Sequence, residues 1–136
     1  MAGIFITQSW LDKVIQYLND DEKYGKVAVK WEGDIIIVVQ PSGILEEELR
    51  IYMDLWHGEC HAGRFLATDD EQEAKFVLST TWDNILRILN GELDPMQAML
   101  TRKLGVRGNM PYLMRNVPTV LHFVRCAQEV TAETQG

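Results

Sequence analysis

The residues best suited to catalytic or metal chemistry lie in the WHGECH cluster, residues 56–61. It places His57, Cys60 and His61 close together, and a cysteine with two histidines supplies three of the four ligands of a typical zinc site. A fourth ligand is not evident, and Gly58 predicts a hairpin corner that directs the side chains apart. The same residues offer a thiol beside a base, as a cysteine nucleophile requires. A thiol or metal enzyme is therefore one hypothesis, and a structural hairpin is the simpler one.

A second segment suited to binding is DPMQAMLTRKLGVRGNM, residues 94–110. It contains three methionines and the three cations Arg102, Lys103 and Arg107, with no acidic residue after Asp94. Because methionine adapts to varied apolar neighbours, this combination is suited to a lipid with an anionic head group. A core helix with a solvated cationic face has the same pattern, so both interpretations stay open.

The distribution of charge limits the classes of partner. The formal net charge of -7 argues against nucleic-acid binding, which needs a basic face. Residues 95–128 contain 5 basic and no acidic residues, against 8 basic and 20 acidic residues elsewhere. This basic segment either contacts a ligand head group or pairs with acidic loops of the same molecule.

Length and cysteine usage predict one domain spanning residues 1–136, in a cytoplasmic protein with reduced thiols. The start of the chain has no basic region followed by a long apolar run, so no signal peptide is expected. No stretch approaches the roughly 20 apolar residues of a membrane span. We therefore expect no transmembrane segment.

The first half of the chain predicts one helix followed by strands. Residues 9–20 form the helix, with Ser9 as its N-cap. Alternating or β-branched patterns predict strands at residues 34–40, 48–56, 60–67 and 74–80, with the acidic segment DDEQE, residues 69–73, as a loop. Residues 26–32 alternate like a strand but equally suit the end of a short second helix, and the pattern does not decide between these.

The second half is predicted to be mostly helical. A helix capped by Thr80 or Thr81 ends at Gly91, where a glycine is a common C-terminal stop. The next helix begins with Asp94 as N-cap and Pro95 in the first helical position.

The chain closes with a short strand and a long helical region. KLGVRG, residues 103–108, is too short and glycine-rich for a helix and is predicted as an edge strand. A helical region begins near Pro111 and is expected to kink or restart at Pro118. Its apolar stripe consists of Leu113, Val117, Val120, Leu121 and Val124.

From this order of elements and from NGELDPMQAMLTRKLGVRGNM, residues 90–110, the chain resembles the sterol carrier protein family. Members carry a G-x-L-D-P turn, an apolar helix and a K-L-x-x-x-G-[DN]-M strand at this place. The matching residues are Gly91, Leu93, Asp94, Pro95, Met96, Ala98, Met99, Lys103, Leu104, Gly108 and Met110. The departure is LTR, residues 100–102, where the family has an apolar-small-glycine turn, and the bulkier Thr101 and Arg102 would narrow or reshape a pocket entrance.

The resemblance implies an α+β fold in which helices cover one side of a mostly antiparallel five-stranded sheet, with an apolar tunnel between them. It implies non-catalytic binding of fatty acids, fatty acyl-CoA, sterol-like lipids or phospholipids, with no cofactor or metal. Transient membrane contact fits that role. The family also favours the helical interpretation of residues 26–31. The lipid and the oligomeric state are left open.

The side chains expected to contact a lipid tail lie on the helices and short strand of the second half. They are Leu86, Leu89, Met96, Met99, Leu100, Leu104, Val106, Met110, Leu113, Met114, Val117 and Leu121. Arg102, Lys103 and Arg107 are expected to meet an anionic head group. The rival hypotheses are a protein-interaction or dimerisation module that uses the same apolar helix face and, less favoured, an enzyme built on the WHGECH cluster.

Overall fold

The computed structural model describes residues 5–135, which form a five-stranded sheet and six helices. In chain order the elements are α1 (Gln8–Asp20), α2 (Glu22–Val27), β1 (Ile35–Gln40), β2 (Leu49–Trp56), β3 (Glu59–Phe65), β4 (Phe76–Thr81), α3 (Trp82–Leu89), α4 (Pro95–Leu100), β5 (Gly105–Arg107), α5 (Met110–Arg115) and α6 (Val117–Gln135). This arrangement confirms the predicted α+β class. Within the described residues, no helix is both long and apolar enough to cross a bilayer.

The strands lie in the order β3-β2-β1-β4-β5, so the predicted short strand is at an edge. Three neighbouring pairs are antiparallel and the central pair, β1 with β4, is parallel. The connection from β3 to β4 crosses back over β2. Arg50 of β2 holds it by donating hydrogen bonds to the carbonyls of Ala67 and Asp70, at 3.2 and 3.1 Å. The predicted acidic loop, residues 69–73, is therefore a strap across one sheet face.

Alternation along the strands gives the sheet one face toward the helices and one toward this strap. In β1 the side chains of Ile35, Ile37 and Val39 face the helices and a cavity beneath them. Ile36 lies on the other face and is nonetheless buried. The apolar core thus lies mainly between the sheet and the helices, as predicted.

The helix boundaries follow their capping residues. Thr81 and Asp94 cap α3 and α4 by accepting hydrogen bonds from the backbone N–H groups of Asn84 and Gln97, as predicted. The prediction of Ser9 as the first cap was wrong. The hydroxyl of Thr7 accepts from the N–H of Trp10 instead, and α1 starts at Gln8. Since either cap leaves the apolar face of α1 in the same phase, the periodicity did not distinguish them.

The ambiguous segment, residues 26–32, is divided between two structures. Its first two residues complete α2, which ends at Val27, and a turn follows. Residues 26–32 do not form the alternative strand, although Glu32 makes an isolated β-bridge to Trp56. Further along the chain, α6 restarts after α5 with Pro118 in its first turn, where a missing N–H breaks no helical hydrogen bond. The predicted restart at Pro118 is confirmed.

Candidate functional site

An apolar cavity of about 110 Å³ lies between the sheet and the helices. Its floor is formed by side chains of three adjacent strands: Ile35, Ile37, Val39, Ile51, Met53, Leu55, Phe76 and Leu78. The helices and their connections form its other walls, among them Trp10, Val14, Tyr24, Trp31, Ile85, Ile88, Leu89, Pro95, Met99, Leu104, Leu113, Val120, Phe123 and Val124. The surface that these residues present to the cavity is entirely apolar.

Three of the wall residues with polar side chains, Trp10, Trp31 and Thr119, hydrogen-bond to other parts of the protein. The indole N–H groups of Trp10 and Trp31 donate to the Thr131 hydroxyl at 3.1 Å and to the Gly33 carbonyl at 2.8 Å. The hydroxyl of Thr119 donates to the carbonyl of Val27 at 2.9 Å. With these groups satisfied, the wall offers hydrocarbon contacts and no polar recognition.

The phenol of the wall, that of Tyr24, is neutral near pH 7, and burial raises its pKa further above the ordinary value. A neutral phenol adds no charge to attract a head group or a metal ion. The cavity is thus suited to a hydrocarbon, and its wall contains no activated nucleophile.

The cavity is smaller than the roughly 300–1,000 Å³ of ordinary ligand pockets, so a long-chain ligand requires the wall to move. One part of the wall is the six-residue helix α4, which contributes Pro95 and Met99. Helices this short are marginally stable by themselves. Elements with little stability of their own open locally at low free energy. We therefore expect the wall to open beside α4 when a long-chain ligand enters.

The structure divides the side chains that the sequence assigned to lipid contact. Leu89, Met99, Leu104 and Leu113 line the cavity. Outside its wall, half-buried, are Leu86, Met96, Val106 and Val117. The exposed members are Leu100, Met110, Met114 and Leu121.

Sequence reasoning assigned no lipid contact to the sheet floor or to α1. The alternation of Leu49, Ile51, Met53 and Leu55 in β2 was the available signal, since it already predicted a strand with one buried face. Trp31 lies in the irregular segment directly after the turn at residues 28–30, where periodicity gives no signal.

The three predicted head-group cations are also divided. The Lys103 carbonyl accepts a hydrogen bond from the hydroxyl of Thr80 at 2.8 Å, which places the Arg102-Lys103 loop at the C-terminal end of β4. Arg107 instead pairs with Val77, and residues directly opposite in a sheet share a face. Because Leu78, the next residue, faces the cavity, Arg107 lies on the opposite face of the sheet.

The predicted alternative, that these cations pair with acidic loops, can be compared with the ion pairs that form. The strap carboxylate Asp70 is paired with Arg64 at 2.9 Å. Among the described residues, Arg102, Lys103 and Arg107 have no acidic partner within 4.0 Å. All three are exposed and available to other anions.

The WHGECH cluster forms the hairpin that joins β2 to β3, as its glycine predicted. His57 occupies the turn with a left-handed φ of 50°. Its imidazole lies 2.6 Å from the carboxylate of Glu32. This exposed hydrogen bond connects the hairpin to the segment before β1.

The other two members of the cluster point to opposite sides of β3. Cys60 is buried toward the helices, and the side-chain amide of Asn19 bonds to both its backbone N–H and its carbonyl, at 2.7 and 3.0 Å. His61 is exposed. Burial raises the pKa of the Cys60 thiol to about 11 and that of Cys126 to about 12, so both thiols are protonated and poorly nucleophilic at neutral pH. Within residues 5–135, no three His, Cys, Asp or Glu side chains converge to hold a metal ion.

The geometry agrees with similarities to known proteins. The sequence profile of the SCP-2 sterol transfer family matches residues 12–120. A crystal structure of sterol carrier protein 2 is 28% identical, covering 93% of this chain and 98% of that one, with a TM-score of 0.82. The solution structure of a conserved hypothetical protein from Thermus thermophilus is also 28% identical, covering 94% and 90%, with a TM-score of 0.82.

A more distant structure has the same fold. The sterol carrier protein domain 2 of Helicoverpa armigera is 17% identical, covering 92% of this chain and 89% of that one, with a TM-score of 0.61. Similarity at this identity shows the fold alone. A comparison with curated proteins gave no match.

Proposed function

The chain belongs to the SCP-2 sterol transfer family, and on that premise we propose that it carries long-chain lipids in the cavity between sheet and helices without transforming them. The observation that carries the proposal is the entirely apolar wall of that cavity. The protonated thiols and the divergent WHGECH side chains support a carrier over an enzyme.

The proposed ligands are fatty acids, fatty acyl-CoA, sterol-like lipids and phospholipids. An apolar wall recognises methylene groups at roughly 0.8 kcal/mol each and has little means of distinguishing their arrangement. Part of this gain is lost in ordering the ligand and opening the wall. We therefore expect broad selectivity among lipids of similar length.

The proposal is tested by extracting the purified protein with organic solvent and identifying bound lipids by mass spectrometry. A fluorescent fatty acid titrated into delipidated protein measures the affinity. A saturable signal with one lipid per chain supports a carrier. A protein that takes up no lipid but forms a tight dimer would instead be the interaction module.

A role for Arg102 and Lys103 at the ligand head follows from their position and their lack of acidic partners. An exposed ion pair contributes about 0–1 kcal/mol, so Arg102→Ala with Lys103→Ala should weaken acyl-CoA binding by only a few-fold to about tenfold. Binding of a neutral lipid of equal length should be unchanged. Raising the salt concentration should weaken acyl-CoA binding in the parent and much less in the variant, because salt screens the head group alone.

Arg107→Ala is the matched control for this experiment. It removes one cation of the same segment from the opposite sheet face and should leave the salt dependence intact. If Arg107→Ala acted as strongly as the double variant, the cations would act through the overall charge and not through contact with a head group.

Transient contact with a membrane surface completes the proposed carrier cycle, because a water-insoluble ligand must enter and leave from a bilayer. Exposed Leu100, Met110 and Met114 beside the cations Arg102 and Arg115 support such contact. We propose that this cycle operates in the cytoplasm.

A further inference from the structure

Three aromatic rings form a cluster at one end of the cavity. Trp31 and Phe76 belong to the cavity wall and stack with ring centroids 5.4 Å apart. Tyr112 of α5 packs behind them, 5.3 Å from Trp31 and 6.1 Å from Phe76. It lies outside the wall and is half-buried. These residues, here called the aromatic end wall, separate the cavity from solvent at this end.

Two of the rings are fixed by polar contacts of their own. The indole N–H of Trp31 donates to the Gly33 carbonyl at 2.8 Å. The Tyr112 hydroxyl accepts from the N–H of Glu32 at 2.9 Å and donates to the carbonyl of Lys30 at 3.4 Å. Tyr112 thereby ties α5 to the segment that holds Trp31.

The third ring, Phe76, is fixed by close packing against two glycines. A Cβ atom added to Gly33 would lie 3.1 Å from the ring, and one added to Gly108 would lie 2.6 Å from it. Since the backbone lies against the ring on both sides, Phe76 has little room to move. The end wall is therefore more rigid than the wall formed by α4.

The end wall lies at the opposite end of β4 from the Arg102-Lys103 loop. Phe76 is the first residue of β4, whereas Thr80, which bonds to Lys103, is four residues further along. At about 3.3 Å per residue, the two ends are roughly 13 Å apart. A lipid whose head lies near Arg102 and Lys103 would direct the end of its tail toward Trp31 and Phe76.

We propose that the aromatic end wall, Trp31, Phe76 and Tyr112, sets the longest acyl chain that the cavity accepts. This inference rests on the proposed function and adds a determinant of ligand length to it. The tail enters beside α4, and the tightly packed rings stop it. A chain longer than the distance to the rings then leaves its extra methylene groups outside the cavity, where they add no binding free energy.

The test is the affinity of the delipidated protein for saturated fatty acids of increasing length. In the parent, affinity should rise with each methylene group and then level off. Trp31→Leu should move this plateau toward longer chains, with a gain of about fourfold for each additional buried methylene group. Shorter chains should bind as in the parent or more weakly.

Trp82→Leu is the matched control, because Trp82 is equally large and fully buried but does not line the cavity. This substitution removes a comparable side-chain volume from a part of the core outside the cavity wall, and it should leave the chain-length plateau unchanged. Tyr112→Ala, which removes the half-buried ring from behind the wall, should move the plateau in the same direction as Trp31→Leu by a smaller amount. This second variant keeps the test open if Trp31→Leu does not fold.

The outcomes separate this proposal from the general one. If the parent binds fatty acids and neither wall variant moves the plateau, the aromatic end wall does not set chain length, although the carrier function stands. The same conclusion follows if Trp82→Leu moves the plateau as far as the two wall variants do. If the parent binds no fatty acid of any length, the carrier function itself is wrong and this inference is lost with it.

Discussion

Met99→Asp should lower lipid affinity by at least about 100-fold, whereas Leu100→Asp, one residue further, should leave it nearly unchanged. Met99 lines the cavity, and Leu100 is 76% exposed at the end of α4. An ionised carboxylate in an apolar cavity either loses its hydration or binds a proton with a raised pKa. Either way it opposes entry of a hydrocarbon tail. At position 100 the same carboxylate stays in water.

The measurement is fluorescent fatty-acid titration together with a thermal melt of each variant. Met99→Asp should also lower the melting temperature, since it places a polar group against the core. Met99→Leu, which conserves volume and apolarity, should restore both properties. If Leu100→Asp lost binding while melting like the parent, the ligand would lie on the exposed surface of α4 and not in the cavity.

The contrast between Met99 and Leu100 shows what helical periodicity in the sequence could not predict. Met96, Met99 and Leu100 share the apolar side of a helix by their spacing, and all three were expected to contact the lipid. Residues at this spacing cover a broad arc of the helix surface. In a helix of six residues, the spacing does not show which of them lies at the buried centre of that arc. The centre is decided by tertiary packing, which buries Ala98 against Ile88 and Leu93 and leaves Leu100 in solvent.

The elements themselves were more predictable because their signals are local. Thr81, Asp94 and Gly91 set helix ends through hydrogen bonds or backbone geometry within a few residues of chain. The strands of the first half were likewise visible in local patterns, either alternation or a β-branched run. Such features do not depend on distant parts of the fold.

The sheet face on which Arg107 lies could not be predicted from local sequence signals. β5 has three residues, too few for an alternation that reveals which face is buried. Only its pairing with β4, in which Arg107 lies opposite Val77, assigns the cation to the face away from the cavity. A head-group site of three cations was thus reasonable from composition, but the register of the sheet separates its members.

Gly108→Ala is expected to destabilise the protein by more than about 3 kcal/mol, because it combines an unfavourable backbone conformation with a steric overlap. Gly108 has a φ of +138°, a region used almost only by glycine and costing about 1–3 kcal/mol for other residues. An added Cβ would also lie 2.6 Å from the Lys75 carbonyl oxygen and 2.6 Å from the Phe76 ring. Neither backbone nor a packed ring can move away cheaply. The melting temperature should fall by roughly 10 °C or more.

Gly91→Ala separates the two causes, since Gly91 also has a positive φ, +77°, but nothing within 4 Å of an added Cβ. It should cost only about 1–2 kcal/mol, the penalty of a left-handed conformation. The difference between the two melts measures the overlap at Gly108. Because that overlap presses on Phe76, Gly108→Ala should also alter the dependence of affinity on chain length at temperatures where it is folded, whereas Gly91→Ala should not. Equal losses of stability in the two variants would mean that backbone strain alone accounts for Gly108, leaving Phe76 free to adjust.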